Sequence, residues 1–303
     1  MKVVIDFDNT FFTTNRDVDD GLALLYLLGS PGIEVVGITS TFGNSTIEEV
    51  DACTKRLMAM LKLEDVPYAK GASQVGDYLN PAARLLADLA KKYQGQLAVL
   101  AVGSLTNLQG AFLYDPEFFD NLSQVVLMGG TTQPLIFAKQ EMLELNFSCD
   151  PQATFTVLTK GHNVSIMTGN NCLELLFTRQ EYQAAFADCD QPIADLIKTY
   201  ADPWFVDNEV EYGIKGFYNW DSLAAAYLVN PELFEDDCQE YTVSINSLSR
   251  GSLIAEDFDP TSYARSKPLK EVRLNTPHVK EKDRIRKMLF QRWLNIKLDN
   301  IEM

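Results

Sequence analysis

Histidine is almost missing from this chain, with two in 303 residues, His162 and His278. Both lie outside every motif described below and are read as structural or exposed. Cysteine is sparse too: five residues, at 53, 149, 172, 189 and 238, odd in number, widely spaced and without a CxxC pair. That excludes a disulfide scaffold and reads as reduced core thiols of a cytoplasmic protein. No apolar run approaches the ~18–20 residues of a membrane span, and no positively charged leader precedes the first strand-like run, so no signal peptide is expected. Basic charge is in deficit, 26 Lys and Arg against 42 Asp and Glu, a net charge of −16. Nucleic acid and anionic membrane both need a basic footprint, so neither is an expected partner. Repeats, low-complexity segments and linkers are also absent, so residues 1–303 are read as a single domain.

What is present is an ordinary globular composition, 46% hydrophobic and 22% charged, in a chain long enough to bury a large core. Short apolar runs alternate with helical patterns. Strands are expected at Val3–Phe7, Glu34–Ser40, Val66–Ala69, Leu97–Val102, Gln124–Met128 and Val164–Thr168. Helices are expected at Gly21–Leu28, Ile47–Leu63, Pro81–Tyr93, Leu105–Leu113 and Asp150–Lys160. The last third reads as helices at Arg179–Ala187, Gln191–Tyr200 and Asp221–Val229, with a Trp/Tyr-rich stretch from Pro203 to Trp220 and a solvated closing helix, Lys280–Leu298. This alternation predicts an α/β fold: a mostly parallel, mixed central sheet with helices on both faces. Sites in such sheets lie outside the carboxyl ends of the strands.

Those strand ends are where the polar motifs fall. The first run enters IDFDNTFFTTNRDVDDGLALL, with five aspartates at 6, 8, 17, 19 and 20. Asp6 and Asp8 alternate onto one strand face, and DxD is equally a loop-capping pair. Asp19 and Asp20 suit a helix N-terminus on their own. Five together repel unless a hard cation binds them. Further on come TSTFGN (Thr39–Asn44), GSLTN (Gly103–Asn107), VVLMGG (Val125–Gly130), ELNFSCDP with Glu144, Asn146, Asp150 and Pro151, and NWDSLAAAYLVNP, where Asp221 opens an Ala-rich helix. Singly, each is also a turn, a cap or a helix start.

Taken in order, they resemble the inosine–uridine-preferring nucleoside hydrolases over roughly residues 2–235. The family's DxDPGxDDxxAL is matched in two halves, at Asp6-Phe-Asp8 and at Asp19 to Leu24. TxxGN falls at Thr41–Asn44, GxLTN at Gly103–Asn107, VVLMGG at Val125–Gly130, ExN…DPxAA at Glu144 to Ala153, and HDPxAxAYxxxP at Trp220 to Pro231. The resemblance implies a Ca²⁺-dependent N-ribohydrolase that cleaves a ribonucleoside, or a related N-riboside, into ribose and free base. In that scheme Asp8 holds the Ca²⁺-bound water and acts as general base, and Asp8, Asp20, Asp221 and the Val102 carbonyl form the metal site. Asp19, Asn44 and Asp221 grip the ribose diol, Glu144 and Asn146 its 5′ end, Met128 packs beneath, and Asp6 orders the inner carboxylates. The expected partners are a small nucleoside and further copies of the chain, as a homodimer or homotetramer.

Three departures stand out. The short PGx of the family becomes Asn9–Val18 here, about seven residues longer, and brings Arg16 and Asp17 near the site. This insertion either packs over the rim or reshapes the pocket. The segment after Gly71, often a Gly- and His-containing loop over the pocket in relatives, has no histidine. Trp220 stands where many relatives have His before the aspartate. Trp220, Trp204, Tyr212 and Tyr218 are read either as core or as a stacking surface for a base. Two other readings remain. DFDNT resembles the nucleophile loop of haloacid-dehalogenase-like phosphohydrolases, with Asp6 as nucleophile, Asp8 as acid/base, and Thr131 and Lys139 in support; the late acidic motif is missing, since GNN at 169–171 carries no carboxylate. A catalytically silent ribose- or nucleoside-binding paralogue is the other.

Overall fold

Eight strands form one sheet in the computed structural model, which describes residues 1–137, 140–255 and 269–298. Across the sheet the order is Cys238–Val243, Lys270–Asn275, Val164–Met167, Leu122–Met128, Leu97–Ala101, Lys2–Phe7, Glu34–Ser40 and Tyr68–Lys70. Neighbours run parallel except the outer pair Cys238–Val243 and Lys270–Asn275. The mixed, mostly parallel α/β architecture expected from the alternation is therefore the one observed. The central strand LAVLA, Leu97–Ala101, is apolar without interruption and buried at every position because both faces of the sheet are covered. Val3, Ile5 and Phe7 point into one apolar layer and Val4 into the other.

One layer holds the helices Asp19–Gly29, Trp220–Val229 and Lys282–Leu294; the other holds Pro81–Lys92, Thr106–Tyr114 and Pro151–Lys160. The helix Asp19–Gly29 is buried on nearly every side, which is why its sequence shows no polar stripe. It lies against Trp220–Val229, whose Ala224, Ala225 and Ala226 are all buried and permit close approach.

Three readings from sequence change. The helix beginning at Pro192 does not stop at Tyr200 but runs to Tyr212, with Pro203 inside it. Proline costs a ladder bond, yet Ile193, Ile197, Ala201 and Phe205 recur every four residues and are all buried. Packing of that stripe outweighs the lost bond. The closing helix is Lys282–Leu294 and is not simply solvated: Ile285, Leu289, Phe290 and Trp293 are buried, and the Trp293 indole donates to the Leu22 carbonyl at 2.9 Å. The strand read at Val66–Ala69 lies at Tyr68–Lys70. Two sheet strands escaped the sequence reading, CQEYTV and KEVRLN. CQEYTV is the edge strand and KEVRLN its neighbour, and their many exposed charged and polar side chains leave only a weak period-2 signal.

Candidate active site

The polar motifs converge at the carboxyl ends of the parallel strands. Asp6 ends inside the strand Lys2–Phe7, fully buried. Its Oδ1 accepts from Thr39 Oγ1 at 2.6 Å and Asn107 Nδ2 at 2.8 Å, while its Oδ2 has no partner. Burial pushes its carboxyl up to about 7 against these hydrogen bonds. Asp8 follows just past the strand. Its own N–H donates to Asp20 Oδ1 at 3.1 Å, and its Oδ2 accepts the Asn44 N–H at 2.6 Å. Burial raises Asp8 to about 6. The Asn44 side chain also donates to Asp20 Oδ2 at 3.2 Å, so TFGN and the DD pair are knitted together through one asparagine.

Asp19, Asp20 and Asp221 form the acidic centre, with carboxylate oxygens all within 4.8 Å of one another and all three side chains buried. They come from the first turns of two adjacent helices, and the Asp221 N–H donates to Asp19 Oδ2 at 2.8 Å. Two helix N-termini therefore meet here, and their partial positive charge offsets some of the repulsion. It does not offset all of it: burial first, and then the neighbouring carboxylates, hold Asp19, Asp20 and Asp221 well above the usual range. A divalent ion fits this donor set, three buried oxygen ligands that form no ion pair with a cationic side chain among the described residues.

On the sugar-sized side, Asn146 Nδ2 donates to the Val102 carbonyl at 3.0 Å and the Met128 carbonyl at 3.1 Å. Glu144 caps the short helix Leu145–Cys149 by accepting the Asn146 and Phe147 N–H groups at 2.7 and 2.9 Å, and burial raises it to about 7. Above the carboxylates opens a cavity of about 450 Å³. Asp19, Asn44, Val102, Met128, Glu144, Asn146, Trp220 and Asp221 line it, whereas Asp6, Asp8 and Asp20 are fully buried and do not.

The insertion does both things its sequence allowed. Phe11 packs into the core against Gly21, where a Cβ would come within 2.5 Å of the ring, so the glycine of DDG is needed for this approach. Phe12 stacks edge-on to Tyr200 at 5.0 Å, with the Arg56 guanidinium 4.1 Å over its ring. Then Asn15, in the left-handed region at φ 61°, turns the chain so that Asn15, Arg16 and Asp17 line the cavity. Asp17, unassigned by any motif, accepts the Val18 and Asp19 N–H groups at 2.7 and 3.4 Å and so starts the metal-side helix. The segment after Gly71 stays away: Asn107 and Asp150 bind its backbone at Ala72 and Gly76, and none of it lines the cavity.

Several wall residues were invisible in sequence. Asp207, Asn208 and Glu211 share one face of the long helix with Trp204, legible only once that helix is known to pass Pro203. Phe137 comes from the short strand Leu135–Phe137, paired with Gln140–Met142; Lys139 lies outside the described residues. Of the proposed stacking residues, Trp204, Tyr212 and Trp220 line the cavity, while Tyr218 instead backs Trp220 at 5.3 Å.

A parallel sheet carries at its carboxyl end buried carboxylates that could hold a metal ion, beneath a cavity lined by aromatic rings. The sequence profile of the inosine-uridine preferring nucleoside hydrolases matches residues 3–283, and the chain belongs to that family. It is 27% identical over 265 residues to uridine nucleosidase 1 of Arabidopsis thaliana, covering 77% of this chain and 75% of that one. Against the pyrimidine-specific ribonucleoside hydrolase RihA of Salmonella paratyphi B it is 26% identical over 247 residues, 71% and 78% of the two chains. Among solved structures, a plant nucleoside hydrolase superposes with a TM-score of 0.82 at 19% identity, over 96% of this chain and 98% of that one. A purine-preferring ribonucleoside hydrolase from Gardnerella vaginalis gives 0.80 at 22%, over 98% and 99%. The chain is thus an enzyme of the nucleoside hydrolase class, and its reaction is hydrolysis of a ribonucleoside's N-glycosidic bond. The phosphohydrolase reading of DFDNT also fails on geometry, since Asp6, the would-be nucleophile, is buried and bound from Thr39 and Asn107 rather than open to a substrate.

Proposed function

We propose that this enzyme hydrolyses N-ribosides with Ca²⁺ as its ion and Asp8 as general base. The observation that carries the reading is the carboxylate cluster. Asp8 is buried beside Asp20, to whose Oδ1 its N–H donates, and Asp20 belongs with Asp19 and Asp221 to the carboxylate trio that reaches the cavity. A carboxylate in that position suits proton abstraction from water. Asp8, Asp20, Asp221 and the Val102 carbonyl would hold the ion, and Asp19 lies close enough to share in it. When bound, such an ion lowers the pKa of a water and binds vicinal hydroxyls.

The protein's own residues do the rest. Asn44 fixes the Asp8 carboxylate from its backbone N–H, so the acceptor oxygen cannot rotate away. Asp19 and Asn44, on the cavity floor, bind the 2′ side of the ribose, and Asp221 the 3′ side. Glu144 and Asn146 take the 5′ hydroxyl, and Met128 packs under the ring. Trp220 flanks the base, and Asp6 supports Asp8 from below. As C1′ gains cationic character, this ring of carboxylates stabilises it electrostatically. Five free thiols support a reducing, cytoplasmic setting, and a homodimer or homotetramer belongs to the same proposal.

The test is ribose release from a nucleoside panel with Ca²⁺, with and without chelator, alongside a phosphomonoester. Chelator-sensitive ribose release is expected. Asp8→Ala should retain fold and lose kcat by about 10²–10⁴-fold, the range for a general base. Near-normal turnover in that variant would sink the assignment of the base, and tight binding without turnover would mark a silent paralogue.

A further inference from the structure

The outer wall of the cavity is aromatic and acidic at once. Phe137, Trp204, Tyr212, Phe217 and Trp220 line it, with the Phe137 ring 4.7 Å from Tyr212 and 5.9 Å from Trp220. The long helix adds two more carboxylates to the lining, half-buried Asp207 and exposed Glu211, four residues apart and so on one face. One oxygen of Asp207 is buried with no hydrogen-bond partner. Arg16 is the one basic side chain among the described lining residues, and it is solvent-exposed with its charge acting on Glu49 of the neighbouring helix. Neither histidine is near: His162 pairs with Asp120 at 3.0 Å and His278 with Glu174 at 2.7 Å, both away from the lining.

We propose that the preferred substrate is an N-riboside whose heteroaromatic base carries a positive charge, such as a pyridinium or an N7-alkylated purine. The inference rests on the N-ribohydrolase reading of the same site. Aromatic faces attract delocalised cations, and a desolvated carboxylate strengthens that attraction. The bond chemistry points the same way. When C1′–N breaks, the electron pair goes to the base. A neutral nucleoside then releases an anion that needs a proton or a cation, and the carboxylates of Asp207 and Glu211 oppose that charge. A cationic base takes the same pair and leaves neutral, so no proton donor is required. Water supplies the new C1′–O bond, its proton passes to Asp8 and on to solvent, and the balance is riboside cation plus water giving ribose, neutral base and a proton.

The test compares nicotinamide riboside and 7-methylguanosine with uridine and inosine, using full-length enzyme with Ca²⁺ and reading kcat/KM from released ribose. Cationic ribosides are intrinsically labile, so the deciding readout is the cationic-to-neutral ratio in the Asp207→Asn/Glu211→Gln double variant and in Glu211→Gln alone, each checked by thermal melting. A fall of that ratio by tenfold or more is expected, with either or both cationic probes identifying the base class. A ratio that stays constant or rises, as it would if a carboxylate protonated neutral bases, overturns the proposal while leaving the hydrolase reading intact. No ribose from any of the four substrates would overturn both.

Discussion

Gly43 is where the loop after the second strand presses hardest on the proposed base. A Cβ at this position would collide with Asp8 Oδ2, the same oxygen that accepts the Asn44 N–H. Gly43→Ala must therefore displace either the loop or the carboxylate, and displacements of ~1 Å at a reacting group cost about a hundredfold in rate. The expected outcome is kcat lowered by about 10²-fold with little change in the far-UV spectrum; wild-type kinetics would show that Asp8 is not held at this oxygen. At the same scale, the TxxGN motif could be read from sequence as a pattern, but why its glycine is required could not. The contact joins residues 8 and 43, and only the parallel pairing of Lys2–Phe7 with Glu34–Ser40 brings them together.

The insertion Asn9–Val18 behaves as an element without regular structure, held at both ends. Thr10 Oγ1 donates to the Asp17 carbonyl at 2.9 Å and closes the loop on itself. Thr13 reaches Glu49 at 2.9 Å, while Phe12, Arg56 and Tyr200 clamp it between two helices, with an Arg56–Tyr200 hydrogen bond of 2.9 Å. Arg56→Ala removes an exposed cation–π contact, worth about 0.5–1 kcal/mol at such a site. A modest fall in melting temperature is expected, together with a raised KM as Asn15–Asp17 lose their rigid seat; an unchanged KM would mean that the insertion does not shape the pocket. The sequence showed the length of this loop and its Arg16–Asp17 pair. It did not show the clamp, because Arg56 and Tyr200 are distant in the chain and aromatic residues read equally as core.

On the scale of the whole molecule, the acidic centre is a cost of folding that an ion offsets. Asp6 and Asp8 have carboxyls raised from about 4 in the unfolded chain to about 7 and about 6 in the folded one, and Glu144 is raised to about 7. The native state therefore binds more protons than the unfolded state between about pH 4 and 7, and stability without metal falls as pH rises through that window, by up to about 1.4 kcal/mol per pH unit for each proton. Thermal melts in chelator should show a lower melting temperature at pH 7.5 than at pH 5, and added Ca²⁺ should raise it most at the higher pH. A melting temperature that rises with pH in chelator would contradict this. At the far end of the chain, Trp293 is fully buried and bonded to the helix that carries Asp19 and Asp20. Trp293→Ala should cost about 3–5 kcal/mol in denaturant unfolding, whereas a surface helix would lose almost nothing.

The sequence by itself determined the sheet class and the order of the strand-end motifs, and the reaction type only through the resemblance of those motifs to a known family. Those signals are local: strand and helix periods, and residue types crowded at the ends of strands, where a parallel sheet always places its site. Only the tertiary structure decided what surrounds the leaving group. The long helix had to pass Pro203, the short hairpin had to bring in Phe137, and the insertion had to fold back on residues far along the chain before Trp204, Asp207, Glu211 and Arg16 shared one cavity. Each of those steps is fixed by packing between distant segments, which no local pattern encodes.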